Sequence, residues 1–325
     1  VKVPFGRRQV LGCVTALAES SKHDALKPIL KVIGAQSLVT PRVLELARWM
    51  ADYYCCAPET ALKSVLPDAV RKEKEGWRER LFVRVRSGGD GIDSLTKRQM
   101  EIYHVIEENR SIALQELLRL TGTTAQTVRK LEDKNLIEIA PQISERDPYA
   151  NEQIVPTEPL TLNAEQATAL EKINAGSGGV FLLYGVTGSG KTEVYLQAIA
   201  RTLKEGKGAI VLVPEISLTP QTVERFKARF SQGQQQTLVA VLHSHLSAGE
   251  RHDEWHKIRQ GRARIVIGAR SAVFAPVESL GLVIVDEEHE HSYKQEEAPR
   301  YNARDLAVVR GQLEGASVVL GSATP

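Results

Sequence analysis

Cysteine is scarce: the 325 residues contain three, Cys13, Cys55 and Cys56. One isolated thiol and an adjacent pair supply neither a disulfide framework nor the C-x2-C grip of a tetrahedral zinc site, so they read as reduced, buried thiols of a cytosolic protein. Long hydrophobic runs are missing too. No uninterrupted apolar stretch approaches the roughly 18 residues that cross a bilayer, which argues against a membrane protein. The opening Val1-Lys2-Val3-Pro4-Phe5-Gly6 shows no apolar signal region and no initiating Met, and the closing Gly321-Ser322-Ala323-Thr324-Pro325 follows directly on an expected strand. Both ends therefore read as cuts through folded structure, and a fragment is expected. An excess of one charge is also lacking. The net charge of +2 says nothing by itself about nucleic acid. Residues 1–80, with 14 Lys/Arg against 9 Asp/Glu, are the best candidate for an electrostatic footprint on DNA.

What is present is a soluble, globular balance of 42% hydrophobic and 25% charged residues, over a length that allows two or three domains. Residues 1–40 read as β structure, from the apolar stretches Val10–Leu17 and Ile29–Ile33 with Gly and Pro between. Thr40 and Pro41 then open a helix carrying Val43, Leu44, Leu46, Ala47 and Met50 at helical spacing, and a second helix fits between Pro58 and Pro67. Residues 71–80 form a charged connector, Phe82, Val83 and Val85 a short strand, and 87–91 a glycine-rich linker. Residues 94–140 repeat the order of a winged helix-turn-helix, three helices and a strand, with Thr124, Gln126, Thr127 and Lys130 on the third helix. Those residues are polar but not strongly basic, so DNA contact and a packing or spacer role both stay open. Residues 141–160, with four prolines, read as a linker. From 161 onward apolar runs at 180–184, 209–213, 238–242, 264–267, 282–285 and 317–320 alternate with helical segments, the pattern of a doubly wound, mainly parallel sheet.

The first of those runs leads into Gly185-Val186-Thr187-Gly188-Ser189-Gly190-Lys191-Thr192. This is G-x4-G-K-[ST] between strand and helix, a P-loop whose backbone amides cradle phosphates. Lys191 is expected on the β and γ phosphates of ATP, and Thr192 on Mg²⁺. The run 282–285 ends in Asp286-Glu287-Glu288-His289. There Asp286 would complete the Mg²⁺ site and Glu287 would polarise the attacking water.

The tetrad resembles motif II of superfamily 2 helicases, in which the histidine couples hydrolysis to strand movement; His289 alone is otherwise an ordinary surface histidine. Further stretches carry the same resemblance. Leu162–Gln166 looks like a Q-type motif, Gln166 reading the adenine edge or simply capping a helix. Residues 212–221 look like motif Ia, with Pro214, Ser217 and Thr219 placed for DNA. Residues 267–272 look like motif Ib, with Arg270 and Ser271, and Gly321–Pro325 looks like motif III. The polar loop 291–305 interleaves Tyr293 and Tyr301 with Lys294 and Arg304, which suits base stacking and phosphate contact. That loop, with GVTGSGKTEVY, VPEISLTPQ, GARSAVF and DEEH, closely resembles the primosomal protein N′ family of bacterial replication-restart helicases. VKVPFGRR (1–8) and ARWMADYY (47–54) resemble that family's domain for the 3′ end of a nascent strand.

The resemblance implies a 3′-end-binding-like domain at 1–80, β-rich and α+β, and a winged-helix domain at 81–147. A linker at 148–160 and a RecA-like P-loop NTPase lobe at 161–325 would follow. It implies an ATP-dependent 3′→5′ DNA helicase, cytoplasmic and monomeric, acting on forks, single strands and 3′ ends with primosome proteins and the loader of the replicative helicase. Zinc and the second motor lobe with its arginine finger are expected only beyond Pro325. The family's opening strand is absent, Cys55-Cys56 replaces its histidine or apolar residues, and His245 stands where glycine is usual. Another superfamily 2 translocase, or a nucleotide- and DNA-binding module without motor activity, remains the alternative.

Overall fold

The structure is a computed structural model that describes residues 1–23, 25–33, 37–67, 70, 79–86, 95–143, 154–176, 178–230 and 238–324. The chain divides into two units: Val1–Gly76 together with Pro148–Pro325, and Trp77–Asp147.

In the first unit, Lys2–Phe5 (β1) and Arg8–Leu11 (β2) form an antiparallel hairpin turned at Gly6, whose φ is +60°. The expected β structure goes no further among the described residues than one bridge between Lys2 and Lys31. Val14, Leu17, Ile29 and Val32 are exposed instead. An apolar run becomes a strand only where a neighbouring backbone takes up its N–H and C=O groups; among the described residues Val10 and Leu11 find that partner in β1, and Leu30 and Lys31 at Lys2. Pro41–Tyr53 (α1) begins with the Thr40 side chain accepting from the Val43 N–H and with Pro at the first position, where a missing N–H costs nothing. Pro58–Val65 (α2) lies within the proline-bounded stretch.

The second unit runs Glu79–Val85 (β3), Lys97–Asn109 (α3), Ile112–Ala113 (β4), Leu114–Thr121 (α4), Ala125–Asp133 (α5) and Ile137–Ile143 (β5). Its antiparallel sheet has the order β4-β3-β5 over a core of Val83, Ile102, Ile106, Leu117, Leu131 and Ile137. Beyond the expected three helices and a strand, the unit has the short strand β4, paired with Phe82 and Val83. Thr124, Gln126 and Lys130 are exposed and Thr127 half-buried. Residues 71–78 of the charged connector, the 87–91 linker and 144–153 of the proline-rich linker lie outside the described residues.

The remaining helices and strands follow in the order Ala164–Ala175 (α6), Val180–Tyr184 (β6), Lys191–Lys204 (α7), Gly208–Leu212 (β7), Pro220–Phe230 (α8), Leu238–Leu242 (β8), Ala248–Arg259 (α9), Ala263–Gly268 (β9), Leu280–Val285 (β10), Ala303–Glu314 (α10) and Ser317–Ser322 (β11), alternating except between β9 and β10, which a short 3-10 turn joins. All six strands pair in parallel, in the order β6-β11-β10-β7-β9-β8. Alternate residues serve two cores. Ala209, Val211, Leu282 and Ile284 pack with Val194, Ile199 and Phe226 on one face. Ile210, Leu212, Val283 and Val285 pack with Trp255, Leu306 and Ala307 on the other.

That second core also takes in Val43, Leu46 and Met50 of α1 and Val65 of α2, all fully buried. Each such burial contributes about 1.5–3 kcal/mol. The Trp255 indole donates to the Leu38 carbonyl at 2.8 Å, and the Asn302 N–H donates to the Tyr54 hydroxyl at 3.2 Å. Because the strands are parallel, every loop after a strand emerges at one edge of the sheet, where α/β folds place their ligands.

Candidate nucleotide and nucleic-acid site

Between β6 and α7 the loop turns at Gly188 and Gly190, with φ of +81° and +83°, a conformation open to glycine and strained for other residues. It delivers the N-terminus of α7, which carries no side-chain cap, to the same edge. The Lys191 Nζ donates to the Gly185 carbonyl at 2.6 Å and to that of Val186 at 3.5 Å, and lies 3.7 Å from Glu287 Oε1. The two parts of the expected ATP site, far apart in sequence, thus meet across the strand tips. Gln166 has both ends engaged: its Oε1 accepts from the Asn163 N–H at 2.9 Å, and its Nε2 donates to the Ser189 carbonyl at 2.8 Å. It caps α6 and at the same time braces the P-loop.

Asp286 follows directly on β10, its N–H donating to the Leu212 carbonyl at 2.9 Å. The Tyr195 hydroxyl donates to its Oδ1 at 2.9 Å, and the Tyr293 hydroxyl donates to its backbone carbonyl at 2.6 Å. Burial pushes the Asp286 carboxyl above the usual carboxylate range, against the Tyr195 hydrogen bond and the Lys191 charge, which favour ionisation. Burial first, and then the neighbouring Asp286 charge, push both tyrosine phenols far up, so they stay neutral donors. Glu287 takes a φ of +45°, a strained left-handed turn.

His289 is exposed, its Nδ1 3.3 Å from the Ser322 Oγ and its Nε2 3.9 Å from Glu287 Oε2. The end of β11 threads between the two motifs. The Gly185 N–H donates to the Ser322 carbonyl at 3.0 Å, and the Glu288 N–H to the Gly321 carbonyl at 2.9 Å. Gly321 lies so close beneath the Tyr195–Asp286 contact that an added Cβ would collide with the Tyr195 hydroxyl.

The residues expected on DNA divide. Thr219, Ser271 and Lys294 are exposed and Ser217 half-buried, on loops that leave this edge, while Pro214 is buried. Arg270 donates to the Lys294 carbonyl at 2.9 Å, which brings motif Ib and the polar loop together. Arg304 is paired with Glu288 of the acidic box and with Asp305, each at 3.0 Å, and so anchors the box. The two tyrosines require a correction. Tyr293 and Tyr301 are only 1% and 4% exposed, and neither ring offers a face to a base. Tyr293 turns inward to satisfy the Asp286 carbonyl, and Tyr301 packs edge-on against Phe274 at 5.2 Å, where burial lifts its phenol to about 12.

Tyr195 and Gly321 were missed as site residues. Tyr195 lies on the buried face of α7, and a buried phenol hydroxyl needs a partner, a need readable from the residue type. A glycine at the end of an apolar strand likewise signals a close approach.

This donor set suits a nucleoside triphosphate with a divalent cation: a glycine cradle, an ammonium at its floor, and a half-buried carboxylate at the facing strand tip. Together with the Ser-Ala-Thr stretch between them, these parts define the nucleotide-binding lobe of a helicase. The family model described as "DEAD/DEAH box helicase" matches residues 163–325, and the chain belongs to that family. Its particular type follows from the front end and the relatives. The model described as "3'DNA-binding domain (3'BD)", that of PriA, matches residues 1–67. Replication restart protein PriA of Bacillus subtilis is 38% identical over 100% of this chain and 49% of its own length. The PriA proteins of Haemophilus influenzae and Chlamydia pneumoniae are 39% and 36% identical, over 100% and 97% of this chain and 45% and 43% of theirs. The resemblance to the replication-restart helicases therefore holds from one end of the chain to the other, and the chain spans about half the length of these curated relatives.

Proposed function

We propose that the chain is the front and first motor lobe of an ATP-dependent 3′→5′ DNA helicase of replication restart. It acts in the cytoplasm at abandoned or repaired forks, with primosome proteins and the loader of the replicative helicase as partners. The observation that carries this reading is the approach of Lys191 to Glu287 across the tips of β6 and β10, with Ser322 between the P-loop and His289. In this reading Gly185–Thr192 holds the triphosphate, Lys191 takes the β and γ phosphates, and Thr192 and Asp286 hold Mg²⁺. Bound magnesium supplies neutralisation of phosphate charge, while Glu287 orients the attacking water. Gln166 reads the adenine edge from its place against the loop. His289 and Ser322 link the hydrolytic centre to a single DNA strand lying over Ser217, Thr219, Arg270, Ser271 and Lys294; Pro214, buried, shapes the loop beneath it.

The test is ATP hydrolysis by the full-length gene product with single-stranded, duplex and forked DNA, comparing wild type with Lys191→Ala. Fork-stimulated hydrolysis that disappears in the variant is expected. Hydrolysis indifferent to DNA would leave a nucleotide-binding module and sink the motor. The 325 residues alone are expected to bind ATP but to hydrolyse it about 10³-fold or more below the full-length rate, the contribution of a stabilising arginine from a second lobe. Robust unwinding by them refutes that expectation.

A further inference from the structure

Ahead of α6 the chain runs exposed from Val155 to Thr161 and joins no strand, yet its backbone is held. The Thr157 N–H donates to the Ala228 carbonyl at 3.1 Å. At Leu160, side chains of α7 do what a neighbouring strand would do. The Leu160 N–H donates to Glu193 Oε1 at 3.1 Å, and Gln197 Nε2 donates to the Leu160 carbonyl at 2.8 Å. The same Gln197 nitrogen reaches Glu193 Oε1 at 2.9 Å, and Arg229 of α8 holds both oxygens of that carboxylate. Leu160 is 65% exposed, so it is its backbone that α7 grips.

Both ends of this clamp adjoin the nucleotide site. Glu193 follows Thr192, the last residue of the P-loop, and Leu160 stands shortly ahead of Asn163, the cap of α6. Gln166 accepts from the Asn163 N–H through its Oε1 and reaches the Ser189 carbonyl through its Nε2. Its amide lies so close to Gly190 that a Cβ there would collide with it. Each end of the amide keeps a further capacity, a lone pair on the oxygen and a hydrogen on the nitrogen. Those two match the N6 amino group and the N7 of adenine, whereas guanine sets an acceptor, O6, where adenine has its donor. An amide tells the two bases apart only when it is held at a fixed place relative to the triphosphate, and an exposed stretch without apolar packing does not hold it unaided.

We propose that Glu193 and Gln197, backed by Arg229, are positioning residues for base selection: by fixing the Leu160 backbone they set Gln166 at the separation from the P-loop that suits adenine, and so favour ATP over GTP. This rests on the nucleotide reading given above. The clamp touches neither base nor phosphate. It ties the start of α6 to the first turns of α7, so that the reader of the base and the cradle of the triphosphate keep one distance.

The experiment is titration calorimetry on the full-length product with the magnesium complexes of ATP, GTP and tripolyphosphate, the last of which carries no base. Wild type is expected to bind ATP about tenfold or more tightly than GTP, the discrimination of one bidentate amide. Gln197→Met, which keeps the length of the side chain and loses the donor, should raise the ATP dissociation constant about five- to tenfold and leave those of GTP and tripolyphosphate within about twofold. Leu160→Pro, which deletes the N–H given to Glu193, should do the same from the other side of the clamp. Tripolyphosphate weakened as much as ATP would overturn the proposal, since the clamp would then hold the P-loop and not the base. An ATP preference untouched in both variants, or absent from wild type, would overturn it too and leave the nucleotide site standing. A wild type that binds neither nucleotide nor tripolyphosphate would overturn the nucleotide reading itself.

Discussion

Asp286 is gripped from two sides by phenols that never ionise, one on its carboxylate and one on its own carbonyl. A hydrogen bond to a charged group is worth about 1.5–3 kcal/mol, so Tyr195→Phe should lower kcat for ATP hydrolysis about 10- to 100-fold, measured at saturating Mg²⁺-ATP. A pH profile separates charge from mere placement. Burial holds the Asp286 carboxyl of the free enzyme high, so kcat/KM, which reports the free enzyme, should fall as pH drops through that raised value. Removing the Tyr195 donor takes away an influence that favours ionisation, so the acid limb of the variant should move to higher pH. An unmoved limb would reduce Tyr195 to packing. Lys191, Asp286 and their neighbours were legible because phosphate chemistry fixes residue types at fixed spacings. Tyr195 was harder to see because its partner lies 91 positions away, and periodicity reports which face of a helix is buried without saying what meets it there. Tyr293 and Tyr301 show the opposite failure: the polar company of the loop suggested exposure, while the backbone turns both rings inward.

Between elements, the joint of α7 and α8 is held by an ion pair shielded from solvent. Arg229 donates through both terminal nitrogens to Glu193 at 2.9 Å, and Gln197 and the Leu160 N–H complete the same carboxylate. Burial lifts the Glu193 carboxyl, but these bonds outweigh it and the net shift is downward. With the folded value below the unfolded one, the stabilisation is complete above the ordinary value of 4.5 and is lost as pH falls through the folded value. Arg229→Leu, which strands a buried charge, should cost on the order of 3 kcal/mol in urea unfolding at neutral pH. The difference from wild type should narrow as pH falls below 4.5. A gap independent of pH would assign the loss to packing. Elements of this kind were readable wherever one local rule sufficed: continuous apolar runs for the six parallel strands, Thr40 and Pro41 for the start of α1. The strand Ile112–Ala113 was not, since two residues carry no period, and the runs around Val14 and Ile29 misled because an apolar run does not name its partner.

Across the whole molecule, the helices near the front of the chain share a core with the sheet, while Trp77–Asp147 carries its own. Leu46→Ala, in a site with no exposure, should destabilise the six-stranded sheet by about 2–5 kcal/mol, and hydrogen exchange should quicken in β7 and β10. Leu117→Ala should quicken exchange only in α3–α5 and their sheet. Exchange in β7 and β10 unchanged by Leu46→Ala would mean that the front helices contribute nothing to the sheet they cover. The order of segments along the chain could be read from composition, but the sharing of one core could not: an amphipathic helix announces that it packs and leaves open against what. At the smallest point of that fold, Gly321 carries a consequence of another kind. A Cβ there would meet the Tyr195 hydroxyl and come within 3.0 Å of the ring carbon beneath it. Alanine at 321 is therefore far less damaging once position 195 has become phenylalanine. The pair is epistatic with a direction: a lineage that keeps the tyrosine is confined to glycine, and one that fills the space first must empty it again before the hydroxyl can return.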